Sequence, residues 1–399
     1  MNEAVLAGVR VLDLSSYVAG PYCTKLLAEW GAEVIKIERP GAGDGARRVG
    51  PFYRDMPDPE ASGLFLYLNT GKKSVTLDLK SESGRTILKG LVETADVLVE
   101  SFSPGVMEDL GLGYPTLENR NPQLIMTSIS NFGRSGPYRD YKATDIVTFA
   151  MSGLMSQVGD PDRPPLKLPG PWTRYTTGAH AFAGTTVALL HREIMGEGQQ
   201  VEVSMFEVAA SHTYTAYVQY TYLGAQPIRQ GNTSAQAGGR SRLHPTKDGG
   251  QVTVALTPWG NLVELLGEPE LLEDPRFATP EGRLEHGREL DSHVSAYTRE
   301  HTKEELFQAA QAQRLTWAPI NTVADLFSSP QLASRDFFKE IDHPATGPLR
   351  YPGSPARLGD TQIHYRRAPL LGEHNEEVYS GRLGYAKTDL VRLREAGVI

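Results

Sequence analysis

The stretch GVRVLDLSSYVAGPYCTKLLAEWGAEVIKIE, residues 8–38, decides the fold class of this chain. Its two ends, VRVLDL and EVIKIE, are short runs rich in Val, Ile and Leu, and CTKLLAEWGA between them has the spacing of a helix. Short apolar strands separated by a helix are typical of a parallel βαβ unit. The stretch therefore predicts an α/β domain.

The same alternation continues outward from this unit to about Ser130. SVTLDL, DVLVE and QLIMTSIS have the composition of strands, and SGRTILKGLVETA has that of a helix. Repetition of the pattern predicts a doubly wound, Rossmann-like sheet. Further along, TTGAHAFAGTTVALLHREIMG at 176–196 combines helical spacing with small side chains, which let two backbones approach closely. We therefore expect this helix to be buried against another element.

A second, smaller α+β domain is predicted after the polar, Gly-rich run RQGNTSAQAGGRSRLHPTKDGG, residues 229–250. It contains the strand QVTVAL and the helix TKEELFQAAQAQR, with a cap at Thr302. The predicted division is a large domain at 1–225, a small domain with its linkers at 226–330, and a tail at 331–399 that returns to the large domain.

Composition excludes several classes of protein. Of 399 residues, 40% are hydrophobic and 22% are charged, which fits a soluble globular protein, and no apolar run approaches the roughly 20 residues of a membrane span. The formal net charge of −8 disfavours nucleic-acid binding. The N-terminal residues do not resemble a secretory signal, so we expect a cytoplasmic protein without membrane partners. The single cysteine, Cys23, excludes an internal disulfide, and we expect it to be buried.

Nucleotide and metal chemistry are also disfavoured. The first strand is followed by DLSSYVAGPYC, which has one glycine where a dinucleotide-binding turn needs Gly-x-Gly-x-x-Gly. No Walker lysine motif is present, and no His and carboxylate cluster has metal-ligand spacing. We expect no permanently bound cofactor and no metal.

Several long blocks resemble the class III coenzyme A transferases, the family that includes formyl-CoA:oxalate transferase, the carnitine CoA-transferases and the 2-methylacyl-CoA racemases. They are the opening stretch with its continuation RPGAGD, then NTGKKSVTLDLKSESGR, ADVLVESFSPGVMEDLGLGY, TTGAHAFAGTTVALLHREIMGEGQQVEVSMFE and PLLGEH. The blocks follow the family's order across nearly the whole chain. The resemblance implies a large Rossmann-like domain and a small domain, and two subunits interlocked like links of a chain.

The resemblance also implies a mechanism and the residue that should carry it. A carboxylate attacks the acyl-CoA thioester to give a mixed anhydride and CoA thiolate, and an acceptor acid completes the exchange. The family's nucleophilic Asp falls on Arg174 of this sequence, and a guanidinium has no free lone pair with which to attack. Asp145 is a weak alternative nucleophile, as are Asp160 and Asp162.

A second departure concerns CoA binding. A CoA-binding Arg of the family falls on Asp109, which would weaken binding of a polyanion. Other family positions for CoA match this sequence, although ordinary solvated charges would look the same: Tyr17, Val18, Ala19, Arg39, Leu77, Asp78, Leu79, Lys80 and Lys142. CoA or acyl-CoA is therefore expected as a substrate, and its binding by this chain stays open.

The favoured hypothesis is a subunit of a heteromeric CoA-transferase whose paralogous partner carries the Asp. The succinyl-CoA:benzylsuccinate type, which acts in the degradation of aromatic compounds, is the nearest example that the resemblance offers. Three alternatives remain: a homodimeric transferase that uses another carboxylate, a non-catalytic acyl-CoA-binding protein, and an acyl-CoA racemase. The racemase is disfavoured because the positions of its His and Asp fall on or near Thr144 and on Arg174.

Overall fold

A computed structural model describes residues 4–229, 231–232, 242–361, 363 and 365–399. By internal contacts the chain divides into two compact units. The first comprises 1–155, 167–225 and 335–399, and the second comprises 156–166 and 226–334. Segment 156–166, which falls inside the predicted range 1–225, groups with the second unit. Of the predicted boundary run at 229–250, residues 230 and 233–241 lie outside the described residues.

The first unit contains a parallel six-stranded sheet in the order β3-β2-β1-β4-β5-β6, which confirms the predicted α/β class. The strands are β1 (Arg10–Asp13), β2 (Glu33–Glu38), β3 (Lys73–Thr76), β4 (Val97–Glu100), β5 (Ile125–Ser130) and β6 (Gln199–Ser204). The order reverses between β1 and β4. In open α/β sheets this reversal is where ligands bind, at the carboxyl ends of the strands.

Helices cover this sheet, and the C-terminal part of the same unit adds an antiparallel pair of strands. The helices are α1 (Ala19–Glu29), α2 (Gly63–Leu68), α3 (Glu82–Val92), α4 (Val106–Asp109), α5 (Tyr114–Glu118), α6 (Asp145–Met151), α7 (Trp172–Met195), α8 (Met205–Ser211) and α9 (Tyr214–Leu223). The second unit holds β7 (Arg242–Pro245), β8 (Gln251–Val254), β9 (Ala318–Pro319), α10 (Trp259–Leu266), α11 (Pro280–Glu285), α12 (Gly287–Arg299), α13 (Lys303–Ala312), α14 (Val323–Phe327) and α15 (Pro330–Ser334). The C-terminal part of the first unit holds β10 (Phe338–Ile341), β11 (Leu349–Pro352), α16 (Asn375–Leu383) and α17 (Lys387–Glu395).

Two apolar layers enclose the central strands, because successive side chains of a strand point to opposite faces. Val11 of β1 packs in a layer with α1 and α7, and Leu12 packs in a layer with α3, α16 and α17. Cys23 of α1 lies in the first layer and is fully buried, as predicted, and burial raises the pKa of its thiol to about 12.

Close packing of α7 against α1 confirms the interpretation of its small residues. A Cβ built on Gly178 would lie 2.5 Å from the carbonyl oxygen of Ala19 and 3.0 Å from Cβ of Tyr22. Thr177 beside it is fully buried, and its hydroxyl donates to the carbonyl of Thr173 at 2.7 Å. The absence of a side chain at 178 thus lets the N-terminal half of α7 lie directly on α1.

The second unit has its own antiparallel sheet, β7-β8-β9, and its own core. Trp317 is almost fully buried there, and its indole N–H donates to the carbonyl of Ala255 at 3.0 Å. Thr302 caps α13 through a capping box with Glu305, as the sequence predicted. No helix among the described residues is long and apolar enough to cross a membrane.

Candidate functional site

A buried ionic network lies under the loop that follows β1. Asp13 ends β1, and its Oδ2 is 3.0 Å from Nζ of Lys72 and 3.8 Å from Nζ of Lys36. Lys36 also pairs with Asp44 at 2.9 Å. Burial alone would raise the pKa of Asp13, but the two ammonium groups hold it well below its usual range. Burial lowers the pKa of Lys72 to about 8.

This network positions Tyr17 at the carboxyl end of the sheet. The ammonium of Lys36 donates to the carbonyl of Ser15 at 3.0 Å, and Asp44 Oδ1 accepts the backbone N–H of Tyr17 at 3.0 Å. Tyr17 has a φ of 65°, a conformation that is uncommon for a non-glycine residue. Its ring packs where a side chain on Gly45 would collide with it. The buried charges thus hold the loop in a conformation that it would not adopt by itself.

Arg174, which occupies the position expected for a nucleophile, is the third residue of α7. The N-cap of this helix is Pro171, which offers no side-chain cap. Asp145, at the start of α6, caps this helix instead, because its Oδ1 accepts the backbone N–H of Arg174 at 3.3 Å. Its Oδ2 forms an ion pair with Lys167 at 2.9 Å. Among the described residues, the buried Nε of Arg174 has no hydrogen-bond partner.

A cavity of about 660 Å³ opens beside Arg174, and we call it the Arg174 cavity. Its walls include Tyr17 and Val18 from the β1 loop, Tyr67 from α2 and Tyr175 from α7. The rings of Tyr67 and Tyr175 have their centroids 6.4 Å apart. Burial raises the pKa of both phenols, which therefore stay protonated at neutral pH. Sequence reasoning missed Tyr67, since nothing in its local pattern separates it from the apolar residues around it.

Most of the predicted CoA-contacting residues line a second cavity, of about 540 Å³, at the carboxyl ends of β1, β2 and β3. We call it the Arg39 cavity. Arg39 and Lys80 are exposed at this cavity, and Phe102 and Val106 complete its walls from the β4 side. The predicted residues that it brings together are Arg39, Leu77, Asp78, Leu79 and Lys80.

Lys142 lines a third cavity, of about 240 Å³, together with Arg139. Phe102 borders both this cavity and the Arg39 cavity. A Cβ on Gly105 would lie 3.4 Å from Nη2 of Arg139, so this guanidinium lies at the N-terminus of α4. Sequence reasoning did not single out Arg139, although it stands three residues before Lys142 in the same polar loop.

Of the positions that the resemblance relates to CoA, Ala19 and Asp109 lie outside the walls of these cavities. Ala19 is buried as the first residue of α1, where its carbonyl faces Gly178. Asp109 is exposed on α4 and is not among the residues that line the Arg39 cavity, to which the same helix contributes Val106 and its C-cap Leu110. Its charge therefore lies outside the wall of the Arg39 cavity.

The alternative carboxylates differ in their availability. Asp145 is buried, and its Oδ1 caps α7. Its Oδ2 accepts no hydrogen bond within the described residues but lies 2.9 Å from Nζ of Lys167, so the charge of the carboxylate is already neutralised. Asp160 and Asp162 are exposed residues of the second unit. Among the described residues, no group of three or more His, Cys, Asp and Glu side chains could hold a metal ion.

Comparison with known proteins gives consistent matches over nearly the full length. The sequence matches CoA-transferase family III over residues 6–375. It is 36% identical to a formyl-CoA:oxalate CoA-transferase of Streptomyces coelicolor, covering 100% of both chains. It is 34% identical to a succinyl-CoA–D-citramalate CoA-transferase of Chloroflexus aurantiacus, covering 99% of this chain and 98% of that one. The crystal structure of a CAIB/BAIF family protein from Brucella suis superimposes with a TM-score of 0.84 at 31% identity, covering 95% of this chain and 100% of that one.

Proposed function

The chain belongs to CoA-transferase family III, and from this premise we propose that it is a subunit of a class III CoA-transferase that does not supply the nucleophile. The enzyme moves CoA from an acyl-CoA donor, such as succinyl-CoA, to a carboxylic acid acceptor. A paralogous subunit with the family's Asp performs the covalent step. This chain supports that subunit through the shared interface.

The observation that carries the proposal is the guanidinium of Arg174 at the start of α7. In the covalent step a carboxylate oxygen attacks the thioester carbonyl, the C–S bond breaks, and CoA leaves as a thiolate. Arginine stays protonated at any working pH and has no lone pair for this attack. Asp145, the carboxylate beside it, is held by the helix terminus and by Lys167, so it is a poor substitute.

Acyl-CoA enters this proposal as a substrate and not as a resident cofactor. The exposed cations of the Arg39 cavity and of the neighbouring cavity, Arg39, Lys80, Arg139 and Lys142, are suited to phosphate groups. Asp109 places a negative charge on α4 near them, where the resemblance leads us to expect an arginine. We therefore propose that this chain binds acyl-CoA more weakly than its catalytic partner does.

The need for a second subunit is supported by α9, whose sequence is YTAYVQYTYL. Seven of the ten residues of this helix are apolar or aromatic and no polar face separates from them, yet none is buried, and Tyr222 and Leu223 are 83% and 75% exposed. A helix that is apolar all round is normally covered by other protein. The C-terminal half of α7 adds further exposed apolar side chains, including Leu190 and Ile194. We propose that a paralogous chain of the same fold, in preference to a second copy of this chain, covers this surface in an interlocked dimer.

The test compares the pure chain with a co-expressed pair. The partner should be a family member with Asp at the position of Arg174, and transfer of CoA from succinyl-CoA to a panel of acids is followed by chromatography of the thioesters. We expect transfer by the pair and none by this chain alone. Robust transfer by the pure chain would refute the proposal and favour a homodimeric enzyme. Tight binding of acyl-CoA with no activity in any pairing would favour a non-catalytic binding protein.

A further inference from the structure

We propose that the Arg174 cavity binds a monocarboxylic acid with an apolar body, and that the guanidinium of Arg174 is the anchor of the carboxylate. This inference rests on the proposed function, since it assigns a use to the position where the nucleophile is missing. It concerns binding and requires no covalent step in this chain.

The charge of the Arg174 cavity favours an anionic ligand. Arg174 is the one charged residue among the described residues that line it, and no carboxylate of the described residues lies in its walls. Asp145 balances Lys167 and accepts the backbone N–H of residue 174, but it does not pair with the Arg174 side chain. A cation without a counter-ion at the wall of a cavity is suited to an anionic ligand.

The buried Nε of Arg174 has no hydrogen-bond partner within the part of the chain that the structure describes. A buried donor of this kind is normally paired, because loss of its hydration is otherwise uncompensated. A carboxylate in the cavity could accept from the terminal nitrogens of the guanidinium, and a shift of the Arg174 side chain would bring the buried Nε into the bidentate arrangement that arginine favours. The positive end of the 24-residue helix α7 acts in the same direction.

The rest of the wall of the Arg174 cavity determines which kind of ligand body fits it. Tyr17, Tyr67 and Tyr175 present aromatic surface, and Val18 and Leu64 add aliphatic surface. Such a wall favours an aryl or alkyl group. A second carboxylate would be desolvated against this surface without a cation, so a dicarboxylate is disfavoured.

Isothermal titration calorimetry on the full-length chain at pH 7 tests the assignment without CoA. The probes are 3-phenylpropanoate, its neutral isostere 3-phenylpropanamide, and succinate. We expect 3-phenylpropanoate to bind at least about tenfold more tightly than either of the others, since one charge-assisted contact is worth that factor. Absence of binding by the acid, or equal binding of acid and amide, would overturn the inference.

Three variants locate the anchor. Arg174→Gln should weaken binding of the acid roughly tenfold or more, and Arg174→Lys should retain part of it because the charge remains. His180→Gln is the matched control, since His180 is exposed on the same helix and does not line the cavity. If Arg174 were instead a plug, Arg174→Gln would bind the amide more tightly than the wild type does, and the inference would fail. CoA transfer by the pure chain would refute the proposed function alone, because these titrations do not depend on it.

Discussion

Asp145 and Arg174 meet through the backbone and not through their opposite charges. The carboxylate accepts the N–H of residue 174 at 3.3 Å and pairs with Lys167 at 2.9 Å, and the buried Nε of Arg174 has no partner among the described residues. The nearby acid therefore has a structural role at the start of α7. The guanidinium remains available to the cavity beside it.

Replacement of Asp145 by Asn should destabilise the first unit. The amide oxygen of Asn can still accept the N–H of residue 174, but the negative charge at the start of α7 is lost and Lys167 is left without its counter-charge, and the loss of a charge at a helix start costs about 0.3–2 kcal/mol. Urea unfolding measures the effect, with Asp140→Asn as a control, since Asp140 is 81% exposed. An unchanged free energy of unfolding, together with loss of a transferase activity present in the wild-type chain, would identify Asp145 as a displaced nucleophile.

Glu33 should make stability depend on pH in the acid range. Burial would raise its pKa, but hydrogen bonds from Arg382 and Lys73 lower it to about 2, against an ordinary value of 4.5. Between these two values the unfolded chain binds more protons than the folded one, so stability rises with pH in this window. The contribution is present above about pH 4.5 and is lost as the pH falls towards 2.

Glu33→Gln should therefore flatten the dependence of unfolding free energy on pH between these values. The comparison is a series of urea titrations of the wild type and of two variants, with Glu264→Gln as the control on an exposed position of α10. Because Glu33 is about one third exposed, we expect a modest change in slope. Parallel curves for the wild type and Glu33→Gln would contradict the assigned role of this carboxylate.

Gly178→Ala should destabilise the chain because the added Cβ would lie 2.5 Å from the carbonyl oxygen of Ala19. Overpacking of a close contact costs about 1–3 kcal/mol. Gly381→Ala is the matched control, since it lies within α16 and its new Cβ would meet no atom within 4 Å. That variant should gain roughly 0.5–1 kcal/mol from helix propensity. Equal unfolding midpoints for the two variants would contradict the packing of α7 on α1.

The sequence predicted the parallel sheet well because strand runs and helical spacing are local patterns. It also predicted the close approach of α7, since small residues at helical spacing are typical of a helix that packs tightly on another. The network of Asp13, Lys36 and Lys72 was not predicted. Lys36 looks like an exposed residue of EVIKIE, and only its pairing with distant acids makes its burial possible.

In the candidate site, too, contacts between residues that lie far apart in the sequence could not be predicted. The absence of a carboxylate at position 174 could be recognised from the motif, and Arg39 and Lys80 could be assigned to one group of expected CoA-contacting residues. The cap that Asp145 forms on α7 could not be predicted, because 29 positions separate it from Arg174. Tyr67 was missed for a similar reason, since its aromatic contact with Tyr175 depends on how α2 meets α7.

The most direct test of the central claim is intact-protein mass spectrometry after incubation with succinyl-CoA, with and without hydroxylamine, which cleaves acyl anhydrides. We predict no covalent adduct on the wild-type chain. Arg174→Asp should form a hydroxylamine-sensitive adduct, because it restores a carboxylate at the start of α7, and Arg174→Asn should form none. A hydroxylamine-sensitive adduct on the wild-type chain would contradict the account, since it would show that this chain carries its own nucleophile.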